Sequence, residues 1–293
     1  MRTQSSVMAC ILLACTSAAA RDIFVDNVLG DDRRAGTMAV VVGEDVGPCR
    51  SISKALRIAL PGDRIVVTNT GQPYRESITL QGPNHSGDDR FALAIVGNGA
   101  TLDGTYSLAN ARWEYAGNNT FRTRPPHLSY QQLFLDGQPL VRKQPPPGQS
   151  PQLAPHEWCL FQGWIYFRAD EGKLPPAYNL SCCGEQVGIT LYEVHDVIIE
   201  DLAVRGFWLD GVNCHDNVRR TDLVRITAKD NGRSGISVGG SSRVRIDTCT
   251  AAGNGEAQVR VEGYCIVQML DNVLDATSAP AVVREGGRIV KGE

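Results

Sequence analysis

Apolar residues return about every 23 positions along the second half of the chain, at Ile189, Val212, Ile236, Val259 and Val282. Each is the third member of a short motif: Val187-Gly188-Ile189-Thr190, Asp210-Gly211-Val212-Asn213, Ser234-Gly235-Ile236-Ser237, Ala257-Gln258-Val259-Arg260 and Pro280-Ala281-Val282-Val283. A second column, Ile199, Leu223, Ile246 and Met269, advances by 24, 23 and 23, so a whole unit repeats and not one tripeptide. Self-similarity at this period predicts a solenoid. Within each unit Val, Ile and Thr alternate with polar residues, and Asn231-Gly232 and Asn254-Gly255 supply turns, which predicts coils of stacked parallel strands.

A leucine-rich repeat has a similar period, but the regular leucine ladder it needs is not there. A parallel β-helix accounts for the pattern, because each coil buries its inward side chains against the coils above and below. Nearer the start, Asp22 to Asn27 reads as a strand. Ser51 to Leu60 reads as an amphipathic helix with Ile52, Ala55, Leu56 and Ala59 on one face and Ser51 as its cap. Pro61-Gly62-Asp63 ends it and opens the strand Ile65-Val66-Val67. Such a helix would cover the open end of the solenoid, which otherwise exposes core and strand edges.

This stretch resembles the opening segment of the right-handed parallel β-helix, pectate-lyase-like proteins. There an extended Val-Asp start leads to a proline, a helix of Ser/Thr-Ile-x-x-Ala-Leu type, Pro-Gly-Asp, a strand and Gly-x-x-Tyr-x-Glu. Here these stand as Phe24-Val25-Asp26, Pro48, Ser51-Ile52-Ser53-Lys54-Ala55-Leu56, Pro61-Gly62-Asp63 and Gly71-Gln72-Pro73-Tyr74-Arg75-Glu76. The resemblance covers residues 22–80 and, through the repeats, 187–290. It implies an all-β, right-handed parallel β-helix with three-strand coils and points toward extracellular polysaccharides. It carries no catalytic residue with it.

Coils continue through Ile78, Leu80, Leu93, Ile95 and Leu102 to the turn Asp103-Gly104, where the pattern changes. Residues 106–180 hold three of the four tryptophans, many prolines and short strands such as Gln132 to Leu135 and Trp164 to Phe167, which predicts an inserted β-rich subdomain. The expected division is therefore a leader at 1–20, the helical cap and first coils at 21–105, the insertion at 106–180 and the remaining coils at 181–293. After Val259 about one coil remains, and no helix or long apolar segment is evident to close the core.

Residues 1–20 read as a secretion signal: Arg2, the apolar run Val7 to Ala14, and Ala18-Ala19-Ala20 as the cleavage site. Leu12-Leu13-Ala14-Cys15 also resembles a lipoprotein signal, with Cys15 as the lipidated residue. The expected location is secreted, periplasmic or cell-surface, with lipid anchoring through Cys15 as the alternative. No stretch is long and apolar enough for a transmembrane helix. A net charge of -3 gives no field selective for nucleic acid or an anionic membrane. Seven cysteines follow the leader (Cys49, Cys159, Cys182, Cys183, Cys214, Cys249 and Cys265), an odd number without zinc spacing. Disulfides among them are open after export, but Cys214 falls on an inward position where a thiol simply packs.

Alternation along the strands places Thr190, Asn213, Ser237, Arg260 and Val283 in one outward row, and Tyr192, His215, Gly239, Glu262 and Glu285 in the next. Rungs lie about 4.8 Å apart, so Asn213 and His215 stand two coils, about 10 Å, from Arg260 and Glu262, across the small Ser237 and Gly239. This predicts a polysaccharide site with His215, Arg260 and Glu262 as the chemical groups and Asn213, Tyr192 and Asp216 as binding groups. Histidine exchanges a proton near neutral pH, and arginine clasps a uronate carboxylate at two points. The plainer alternative is a solvated face with an incidental charge ladder.

A second acidic set, Glu200, Asp222 and Asp247 with Arg245 nearby, suggests calcium as the one possible cofactor, although no spaced calcium loop is present. Asn231 and Asn254 suit stacked turn residues better than ligand contacts. Trp113, Trp158, Trp164 and Tyr166 suit either sugar stacking or the insertion's own core. Asn84 and Asn179 head glycosylation sequons of the kind chance supplies. Two functions remain: an exported polysaccharide-degrading enzyme, a lyase on a uronate polymer ahead of a glycoside hydrolase, which needs two facing carboxylates, or a non-catalytic carbohydrate-binding or structural protein of the cell surface. The fold class alone does not choose between them, and oligomeric state is not legible.

Overall fold

The computed structural model describes residues 20–88, 90–146 and 149–291. The leader, including Cys15, lies outside the described residues except for Ala20. Parallel strands wind into coils with three faces. The first face stacks Ile78–Gln81, Val187–Tyr192, Asp210–Asp216, Ser234–Val238 and the leading halves of Ala257–Leu270 and Val282–Lys291. The second stacks Asp22–Val25, Arg64–Val67, the leading halves of Leu93–Asp103 and His195–Arg205, then Arg219–Val224, Arg243–Asp247 and the end of Ala257–Leu270. The third holds the ends of Leu93–Asp103 and His195–Arg205, followed by Thr227–Lys229, Thr250–Ala252 and Val273–Leu274.

Both predicted columns lie in register. Ile78, Ile189, Val212, Ile236, Val259 and Val282 align rung by rung on the first face. Ile23, Ile65, Ile95, Ile199, Leu223, Ile246 and Met269 do so on the second. Most of these side chains are wholly buried in one continuous core. A one-residue slip would turn the whole apolar set out to water, so burial fixes the register.

The helix spans Ile52–Ile58, and its buried Ile52, Ala55 and Leu56 join the coil core at its open end. The motif residues that carried the resemblance act as staples here. Ser51 Oγ accepts from Lys54 N at 3.1 Å. The Glu76 carboxylate accepts from Ile52 N at 2.8 Å and Ser53 N at 3.0 Å, satisfying donors that a helix start leaves open. Asp63 accepts from Leu60 N at 2.7 Å, and Tyr74, 2% exposed, donates its hydroxyl to Thr68 O at 2.9 Å.

Asn231 and Asn254 occupy equivalent turns and are fully buried. Asn254 Oδ1 accepts from Asn231 N at 3.0 Å and from Asn231 Nδ2 at 3.1 Å, while its own Nδ2 donates to Ala228 O at 3.0 Å and Gln258 Oε1 at 2.7 Å. Removing it orphans several buried polar groups at once. We expect Asn254→Ala to lower unfolding free energy by on the order of 2–4 kcal/mol. A urea midpoint shift corresponding to less than about 1 kcal/mol would show that the ladder is not what holds these turns.

Between the third face and the coil beginning at Val187 the chain forms two antiparallel four-stranded sheets. One orders Trp158–Phe161, Trp164–Arg168, Thr120–Thr123 and Glu114–Gly117; the other orders Thr105–Ser107, Leu180–Cys183, Leu133–Leu135 and Gln138–Pro139. Trp158, Phe167, Ile165, Leu133, Leu180 and Cys182 are buried together as a separate core. Trp158 is therefore a core residue, its indole N–H donating to Leu140 O at 3.0 Å. Gln132 Nε2 donates to Gly253 O at 3.2 Å and Arg205 Nη2 to Gly137 O at 2.6 Å, fastening this unit to the coil turns.

All seven cysteines named above are buried free thiols, so no disulfide staples the described residues. Burial pushes Cys214 and Cys182 up to about 12, which keeps them as inert packing groups. No helix among the described residues is long and apolar enough to cross a membrane.

Candidate functional site on the first face

The outward row Thr79, Thr190, Asn213, Ser237, Arg260 and Val283 runs along the first face as the alternation requires. The next row departs from expectation. Leu191 pairs with Cys214, but Tyr192 pairs with Asp216, so His215 is an extra residue in a β-bulge. Tyr192 and His215 are thus not rung partners, but His215 is exposed as alternation predicts, and its ring lies 5.7 Å from that of Tyr192. Glu262 and Glu285 are in register.

A groove of about 520 Å³ follows this face, lined by Thr79, Thr190, Asn213, His215, Glu262 and an unforeseen cation, Arg233. Gly239 also lines it, and a β-carbon there would lie 3.1 Å from the backbone carbonyl oxygen of His215 and 3.9 Å from Glu262 Oε2.

Arg233 is held by Asp210, the first residue of a repeated motif, which opens the strand Asp210–Asp216. Asp210 is wholly buried and takes Arg233 Nε at 3.0 Å and Nη2 at 2.6 Å, a two-point clasp, with Asn213 Nδ2 donating to the same carboxylate at 2.9 Å. Burial pushes the Asp210 carboxyl up, and the Arg233 hydrogen bonds pull against it. Burial alone would lower Arg233, but the hydrogen bond and charge of Asp210 hold it above its usual value. The signal was present in the sequence, since Asp210 and Arg233 stand 23 residues apart and one repeat brings them onto stacked turns.

Arg260 sits apart from the groove lining, with its side chain 12% exposed. It pairs with Glu285 at 3.0 Å, lies 3.7 Å from Glu262 Oε1 and donates to Ser234 Oγ at 3.3 Å. Glu262 Oε1 is also 3.8 Å from Arg233 Nη1, so its carboxylate stands between two guanidinium groups. Asp216 staples the neighbouring turn through one of its carboxylate oxygens. Its Oδ1 accepts from Ser241 N at 2.9 Å and Asn217 N at 2.8 Å, and these bonds, that from Ser241 first, lower its pKa.

The acidic set expected to hold calcium lies on the second face among arginines. Glu200 pairs with Arg225 at 2.9 Å, Asp222 faces Arg245 at 3.5 Å, and Asp247 pairs with Arg245 as well. No group of three or more His, Cys, Asp or Glu side chains is gathered for a metal among the described residues.

No curated protein matches the chain. Among solved structures it is similar to one described as a glycoside hydrolase, at 11% identity and a TM-score of 0.53, over 86% of this chain and 74% of that one. It also overlays on XylC solved with xylose, at 12% identity and 0.45 over 92% and 68% of the two chains, and on the pectate lyase Pel9A, at 12% and 0.32 over 94% and 79%. Residues 178–292 match the family model described as a right handed beta helix region. With the parallel coils and the in-register columns, this makes the chain a right-handed parallel β-helix protein.

Proposed function

We propose that the protein is exported and acts on an acidic polysaccharide as a lyase, seating the polymer along the first-face groove. One observation carries this reading: one groove is lined by a fixed guanidinium, Arg233, together with Glu262 and the exposed His215. Thr79, Thr190 and Asn213 offer hydroxyl and amide groups on successive rungs to a chain of sugar hydroxyls. Arg233 faces the uronate carboxylate and stabilises the negative charge that grows as the neighbouring carbon loses its proton. His215 takes that proton. The C–H electron pair forms the new double bond, the bond to the glycosidic oxygen breaks, and that oxygen leaves with a proton from water.

Carbohydrate binding without turnover is favoured by a different observation. The charge of Arg233 is already balanced by Asp210, and that of Arg260 by Glu285. Ultraviolet absorbance of unsaturated uronate, followed with the mature chain on pectin and alginate with calcium and with chelator, separates the two. We expect absorbance to rise on one polymer. Retention of a polymer with no rise would establish the binding reading, and neither rise nor retention would remove both.

A further inference from the structure

We propose that the inserted subdomain carries a second saccharide site, specific for a carboxylated or sulfated sugar, that holds the same polymer outside the groove. It occupies a hollow of about 370 Å³, within the size range of small-ligand pockets. Arg112 and Arg124 line it with Tyr106 and Trp164 over a floor that includes Leu108 and Pro126. Neither arginine makes an ion pair among the described residues, whereas the neighbouring Arg122 does. Glu114, the acid in the lining, is engaged with Arg122 at 2.9 Å.

The Arg124 guanidinium is positioned before any ligand arrives. Thr123 pairs with Ile165, which sets Arg124 across from Trp164 in the antiparallel ladder. The Arg124 guanidinium carbon lies 4.5 Å from the centre of the Trp164 ring, and Arg122 stacks on the same ring at 4.5 Å. The Thr123 hydroxyl donates to Arg112 O at 3.0 Å and fixes the backbone there. Tyr106 stands 53% exposed at the rim. An exposed Tyr106 ring, an apolar floor and two unneutralised guanidinium groups match a sugar ring that bears an anion: the ring lies on Tyr106 while the anion takes the two-point hydrogen bonds. A neutral sugar would leave both cations uncompensated.

The choice of a saccharide over another anion rests on the polysaccharide reading above, and the test separates the two. Binding of the full chain to polygalacturonate, alginate, a sulfated glycan and a neutral glucan is measured by calorimetry for wild type, Arg112→Gln/Arg124→Gln and Glu262→Gln. We expect the double arginine variant to lose tenfold or more in affinity for one acidic polymer, to shallow the salt dependence by about two charges, and to leave turnover of short oligouronates in the groove unchanged. Wild-type affinity in that variant overturns the site. If the double variant weakens binding while Glu262→Gln alters neither binding nor turnover, the groove reading falls and the insertion site stands. Failure of wild type to bind any of the four polymers overturns both.

Discussion

Replacing Asp210 with alanine is expected to lower unfolding free energy by about 3–5 kcal/mol, because it strands a largely buried charge. The Arg233 side chain is only 17% exposed, and its two short hydrogen bonds to Asp210 are its compensation for leaving water. The same change takes away the acceptor of the Asn213 amide, so the groove loses two positioned side chains together. Removing both charges, as Asp210→Ala/Arg233→Met, should recover much of the loss, since an apolar pair of similar volume leaves no unpaired ion. Equilibrium denaturation of the two single variants and the double variant forms the cycle. Additive losses would mean the two residues do not act as a pair.

His215→Ala is expected to lower the elimination rate by about 10²–10⁴-fold, the usual worth of a positioned proton acceptor. Polymer retention and unfolding free energy should stay close to wild type, because the imidazole is solvent-facing at a bulge and anchors nothing in the core. The informative comparison is kcat against KM. A rise in KM at constant kcat would assign His215 to sugar binding beside Tyr192 and would falsify its role as the base.

The columns from Ile189 to Val282 and from Ile199 to Met269 were legible because a buried stack repeats its chemistry at the repeat period. Each coil meets the next in the same environment, so one-dimensional spacing maps directly onto rungs. The opening motif was legible for a related reason. Ser51, Asp63, Tyr74 and Glu76 bond to backbone groups only a few residues to one coil away, at 3.1, 2.7, 2.9 and 2.8 Å.

The outward rows were legible only in part. Thr190, Asn213, Ser237 and Arg260 align as alternation predicts, but one inserted residue at His215 breaks the count that linked it to Tyr192. Alternation cannot reveal a bulge, because the extra residue leaves its own inward or outward sense intact and shifts only which residues pair after it. Glu200, Asp222 and Asp247 looked like a cluster when read by period alone, and the arginines between them set the outcome. A long side chain chooses its partner from several rungs, and that choice depends on rotamer and distance rather than on spacing.

By itself the sequence determined the parallel coil, its period, its buried columns and the helix over its open end, all of them consequences of burying the same apolar face once per turn. Only the tertiary structure decided which charges meet. Arg233 enters the groove because buried Asp210 fixes it, Arg260 turns aside to Glu285, and Arg112 and Arg124 are left without acidic partners on the insertion. Burial of apolar surface is nearly indifferent to the partner's identity and can be read from periodicity. A hydrogen-bonded ion pair is directional and short-ranged, so it exists only once the coil has brought distant residues to within a few ångströms of each other.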